Sequence, residues 1–97
     1  MSYLVNISSE ADKDLRAIYE YIAISLMSPQ NAEAQLSRLE KMIYSLDNMP
    51  FRYTVYKNDI HFVPVDNYLV FYTVEENEKA VSIIRVMYGK QDIEKTL

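Results

Sequence analysis

The order of apolar patterns predicts an α+β fold. It reads as an N-terminal strand, an antiparallel helix hairpin, then a three-stranded antiparallel meander, with the helices packed on one face of the sheet. Three observations carry this. Two apolar stripes at steps of three or four residues occupy the first half of the chain. Beyond Pro50 the period shortens to that of strands. The two kinds of pattern are segregated along the chain, as α+β domains require.

Tyr3-Leu4-Val5-Asn6-Ile7 is the first strand. Ser8 and Ser9 offer an N-cap, with Asp12 three residues after Ser9 and acids clustered in the first turn. Ala11, Leu15, Ile18, Ile22 and Leu26 then form one stripe, predicting a helix over 10–26. Ser28 and Pro29 stop this helix and start another, as cap and first position. Ala32, Leu36, Leu39, Ile43 and Leu46 are its stripe, and Asn48-Met49-Pro50 ends it. So short a connection folds the helices back on each other. Residues 53–56 and 60–65 are extended candidates around the turn-prone Lys57-Asn58-Asp59. Residues 67–74 and 80–87 are two stronger strands, joined as a hairpin by the charged turn 75–79.

The 97 residues make a single domain, 1–97, with composition in the soluble globular range. No run is long and apolar enough to span a membrane, and no basic-then-apolar leader is visible. With no cysteine there is no disulfide, thiolate chemistry or Cys-type zinc site, and a cytoplasmic home is expected. No metal constellation, phosphate loop or nucleophile elbow is present, so neither metal nor cofactor is expected. The net charge of −4 argues against broad nucleic-acid affinity, which rests on neutralising phosphates.

Several short segments, in order, carry a family resemblance. They are Ala11-Asp12-Lys13-Asp14-Leu15 leading to Ile18-Tyr19-Glu20-Tyr21-Ile22, then Ser45-Leu46 with Met49-Pro50. Asp66-Asn67-Tyr68-Leu69-Val70-Phe71-Tyr72 and Ile84-Arg85-Val86-Met87-Tyr88-Gly89 with Asp92 complete the set. Together with the helix hairpin ahead of the strand hairpin, they resemble the RelE/ParE superfamily, toxins of bacterial type II toxin–antitoxin modules. The resemblance implies a cognate antitoxin as partner and a toxic surface on the sheet. In its ribosome-dependent RNase branch, cations grip the scissile phosphate while a base and an acid move protons. Phosphoryl transfer builds negative charge that fixed cations stabilise. In its ParE-like branch the target is DNA gyrase and no catalytic set is needed. A degenerate, harmless antitoxin-binding module is a third reading.

On the RNase reading, inhibition of translation by mRNA cleavage, Arg85 supplies charge to the phosphate. Tyr88 or His61 moves the proton, and Lys90 and Arg52 hold the substrate backbone. His61 is the only histidine, a residue type suited to proton transfer near neutral pH. The pattern departs from this branch at Leu69, where RNase members usually carry Arg, since leucine cannot grip phosphate. Gln91 stands where relatives often show Arg, and the segment 57–63 is short for the family. Arg85 also has a structural reading, as partner to an acid such as Asp66 or Glu20. Tyr68 and Tyr72 share a face with Val70 and Val74, expected to be core. Leu69, Phe71 and Thr73 make the opposite face apolar too. The helices cover one side only, so the antitoxin or a second copy in a homodimer is expected to cover the other.

Overall fold

The computed structural model describes residues 2–91 and 93–97, with the side chains of Glu94 and Thr96 left aside. Asp92 therefore lies outside the described residues. The elements in order are β1 (Leu4–Ile7), α1 (Ser9–Glu20), a π-helical turn (Tyr21–Ser25) and α2 (Pro29–Ser45). A 3-10 turn (Pro50–Arg52) leads to β2 (Val55–Lys57), β3 (Ile60–Val65), β4 (Tyr68–Glu75) and β5 (Ala80–Tyr88). A short α3 (Ile93–Thr96), not foreseen from the sequence, closes the chain.

The five strands form one sheet in the order β1-β5-β4-β3-β2. The meander thus has four strands, its first only three residues long. β1 runs parallel to β5, with Leu4 opposite Ala80 and Ile7 opposite Ile83, so the sheet is mixed. Parallel neighbours need a long crossover, and here the two helices together with β2, β3 and β4 lie between β1 and β5.

Ser8 caps α1 by accepting from the Ala11 amide at 3.1 Å, and its hydroxyl donates to the Ile84 carbonyl at 3.2 Å. One side chain therefore closes the helix and pins it to the sheet. Ser28 stands at the N-cap of α2 without a side-chain capping bond, and Pro29 alone marks that start. The α1 stripe holds through Ala11, Leu15 and Ile18, which are buried. The π turn then rotates the helix, leaving Ile22 half-buried and Leu26 exposed. The stripe of α2 is buried at Ala32, Leu39, Ile43 and Leu46.

With one glycine in the sequence, the reversals use other residues in the left-handed region. Met27 does so between the helices and Met49 after α2; Asn58, Asp66 and Lys79 do so in the three strand turns. Val63, Val65, Val70, Tyr72, Val81, Ile83 and Val86 form the sheet side of the core under the helices.

The opposite face departs from expectation. Phe71 is 0% and Met87 2% exposed within the single chain. The rings of Tyr56 and Phe62 lie 5.5 and 6.0 Å from Phe71 and help to cover it. No partner is needed to bury these two side chains, and over Phe71 the β2–β3 edge folds its own aromatics.

Candidate functional site

The tip of the helix hairpin and the ends of β4 and β5 enclose an open cleft of about 760 Å³. Ile18, Ile22 and Leu26 form its helical wall, and Tyr68, Val86 and Tyr88 its sheet wall. Its polar lining includes Asn31, Gln35 and Arg38 from α2, and Asn67 and Gln91 from the strand ends. The Tyr68 and Tyr88 rings meet edge to face with centroids 6.0 Å apart. Burial holds the Tyr68 hydroxyl above the ordinary phenol range, with Tyr21 and Tyr88 adding to the shift. The cleft is thus an apolar slot rimmed by phenols and carboxamides.

Among the described residues, both charges in its lining, Asp14 and Arg38, are neutralised within the chain. Asp14 accepts from Arg85 Nε at 2.7 Å through Oδ2 and from Arg85 Nη2 at 2.9 Å through Oδ1. The same Oδ2 accepts from the Val86 amide at 2.9 Å. β1 ends opposite Ile83, so the rest of the β5 edge has no strand neighbour. Ser8, Asp14 and Gln91 occupy it instead, Gln91 by accepting from the Tyr88 amide at 3.2 Å. Hydrogen bonding to Asp14 keeps the Arg85 guanidinium more firmly protonated than usual. On the other wall, Asp66 accepts from Arg38 Nε at 2.7 Å and from Gln35 Nε2 at 2.9 Å. Those bonds, that of Arg38 first, hold the Asp66 carboxyl below the usual range.

The structure places the sequence candidates in three separate settings. Arg85 is paired, with Asp14 rather than with Asp66 or Glu20 as partner. The pairing depends on a bulge: Phe71 opposes Arg85 while Tyr72 opposes Ile83, leaving Ile84 extra and breaking the simple alternation. Tyr88, 41% exposed, borders the cleft, and Lys90 lies exposed just beyond it.

His61 is only 8% exposed. Its Nδ1 lies 3.1 Å from the Tyr53 carbonyl, its ring stacks on Tyr72 at 5.3 Å, and Phe51 meets it edge-on at 5.9 Å. Arg52 donates to the Asn48 carbonyl at 2.7 Å and lies over the Tyr53 ring at 4.8 Å. The register sets His61 in the row of Tyr72 and Ile83, whereas Tyr88 is in the row of Tyr68. Four residues of strand, about 13 Å, separate the two rows. His61 and Tyr88 therefore do not share one reacting centre. Leu69 pairs with Pro64 and Met87 on the face away from the cleft.

Sequence reasoning missed Asp14, the Gln35–Asp66–Arg38 group and Tyr21. Asp14 lies three residues after Ala11 and four before Ile18, flanking the buried stripe, and that position was its available signal. Among the described residues no cluster of His, Cys, Asp or Glu is arranged to hold a metal ion, and no helix is long and apolar enough to cross a membrane.

Residues 5–93 match the family model described as the ParE toxin of type II toxin-antitoxin system, parDE. No protein of curated function matches the sequence. Among solved structures, the chromosomal ParDE toxin–antitoxin system from P. aeruginosa is similar with a TM-score of 0.78 at 15% identity, over 90% of this chain and 96% of that one. A mutant of the E. coli toxin RelE in the free state gives 0.71 at 15%, over 99% and 93%. The RelBE2 toxin–antitoxin complex from Mycobacterium tuberculosis gives 0.67 at 17%, over 91% and 92%. At these identities the structures establish a shared fold.

Proposed function

This chain belongs to the family of ParE toxins of type II toxin–antitoxin systems, and from that premise we propose that it poisons its cell by gripping a protein, DNA gyrase, and not by cutting RNA. A cognate antitoxin restrains it. The observation that carries this reading is the electrostatic closure of the cleft. Among the described residues Arg38 is the one cation in its lining, and Asp66 holds it. Arg85 points its charge into Asp14. Cleavage of a phosphodiester needs fixed cations where negative charge develops. A protein surface needs an apolar slot with a few hydrogen-bonding groups, which Tyr21, Tyr68 and Tyr88 supply.

Ribosome-dependent mRNA cleavage is the second reading. The exposure of Tyr88 and Lys90 at the strand end favours it, because a phenol and an ammonium there are free to meet RNA.

The test sets purified gyrase and a cell-free translation mixture side by side. Supercoiling should fall as the chain is titrated, and Tyr21→Ala and Tyr88→Ala should relieve the inhibition. Messenger RNA should stay intact. Cut mRNA with unaffected supercoiling would replace this reading by the second.

A further inference from the structure

A second groove, about 440 Å³, lies along the helix hairpin on the side away from the cleft. Leu15 of α1 and Leu36 of α2 lie in its floor; Tyr19, Glu20, Glu40 and Tyr44 border it. From these residues we infer that the groove docks an arginine-bearing amphipathic segment of a partner protein.

The tyrosines point to it first. The chain has nine, and six are engaged in a hydrogen bond or a ring contact. Tyr3 bonds Glu76, Tyr53 meets Met42 and Arg52, and Tyr56 packs on Phe71. Tyr68 packs on Tyr88, and Tyr72 donates to the Pro50 carbonyl. Among the described residues, the side chains of Tyr19, Tyr21 and Tyr44 have neither a hydrogen bond nor a ring contact, and Tyr21 lines the cleft. Tyr19 and Tyr44 both border this one groove.

Its glutamates are idle in the same way. Arg16 is present, but it pairs with Asp12 at 3.3 Å. Among the described residues Glu20 and Glu40 have no ion-pair partner. The groove therefore carries two uncompensated negative charges beside two uncommitted aromatic rings, over an aliphatic floor.

Each component matches a part of one ligand. A guanidinium stacks on a tyrosine face and bonds a carboxylate in a fork. Leucine-sized side chains of the same segment fill the floor. Nucleic acids and anionic lipid surfaces carry the wrong sign for this groove. The inference stands apart from the identity of the poisoned target, because it uses no residue of the cleft.

A fluorescent helical peptide with arginine and leucine on one face is the probe, read by anisotropy against the full chain. A peptide with glutamate in place of arginine and one with alanine in place of arginine are the controls. The arginine peptide should bind, with Glu20→Gln/Glu40→Gln weakening it about tenfold and Tyr19→Ala/Tyr44→Ala by a similar factor. Glu75→Gln/Glu78→Gln removes the same charge from exposed positions at the β4–β5 turn, and should leave affinity within about twofold. All four targeted side chains are on the surface rim, and circular dichroism checks the fold of each variant. Equal weakening by the two glutamate pairs, equal binding of either control peptide, or no binding of the arginine peptide would each overturn the inference.

Discussion

Asp14 should matter more to stability than the arginine it binds. Asp14→Ala removes two bonds to a guanidinium and the acceptor of the Val86 amide. The side chains of Arg85 and Asp14 are 23% and 16% exposed, so the pair is largely shielded from water. Hydrogen bonds to a charged group contribute about 2 kcal/mol, and a stranded amide costs about 1 kcal/mol more. Asp14→Ala should therefore destabilise by about 3 kcal/mol. Arg85→Ala leaves Asp14 still accepting from Val86, and should cost about 1 kcal/mol less. Urea unfolding followed by circular dichroism reads both. At a slope of about 1.3 kcal/mol per molar for a chain this size, Asp14→Ala should lower the midpoint by about 2 M. The double variant should cost less than the sum of the two singles, because the pair can be lost only once. An Arg85→Ala penalty equal to or larger than that of Asp14→Ala would refute the assignment of the extra bond. Strict additivity would refute the pairing itself.

Three further outcomes follow from named geometry. Tyr72 is driven up to about 12, chiefly by burial. An unfolded tyrosine ionises near 10, so the stabilisation is complete below about pH 10 and is lost as pH rises to about 12. Tyr72→Phe should flatten that loss and cost about 1–2 kcal/mol at neutral pH, by stranding the Pro50 carbonyl that Tyr72 bonds at 2.6 Å. Denaturant melts across alkaline pH check both. Asp66 lies below its ordinary range, so its stabilisation is complete above about pH 4 and fades as pH falls through the depressed value. Asp66→Asn, which tolerates the left-handed backbone there, should remove the acid dependence without disturbing the turn, as acid titration of stability will show. Met27 is 85% exposed at φ 53°, so Met27→Asn should raise stability by a few tenths to about 1 kcal/mol, visible as an upward shift in Tm.

Much of the layout was legible in the sequence because burial imposes periodicity. The stripes Ala11-Leu15-Ile18 and Ala32-Leu39-Ile43-Leu46 lie buried as their spacing predicts. Val70 and Tyr72 sit together in the core for the same reason at the strand period. Three features were not legible. The π turn that swings Leu26 into solvent leaves the composition of α1 unchanged, and only backbone geometry reveals it. The bulge at Ile84 sets where Arg85 reaches, and a bulge is a property of two paired strands rather than of either one. The self-covering of Phe71 depends on Tyr56 and Phe62, which lie far from it along the chain. The site suffered most from this. Arg85, Tyr88 and His61 are attractive by residue type, yet whether they face one another depends on register and on Asp14.

The half-open flank of β5 has a bearing on how this protein behaves in a crowded cell. An untended strand margin invites lateral stacking of copies into insoluble assemblies. Ser8, Asp14 and Gln91 act as stoppers along that margin, each filling a backbone position that a foreign strand would claim. Asp14 thereby guards the margin and lines the cleft at once. An inactive Asp14 variant recovered from the pellet would have lost its activity through self-association before any target was met.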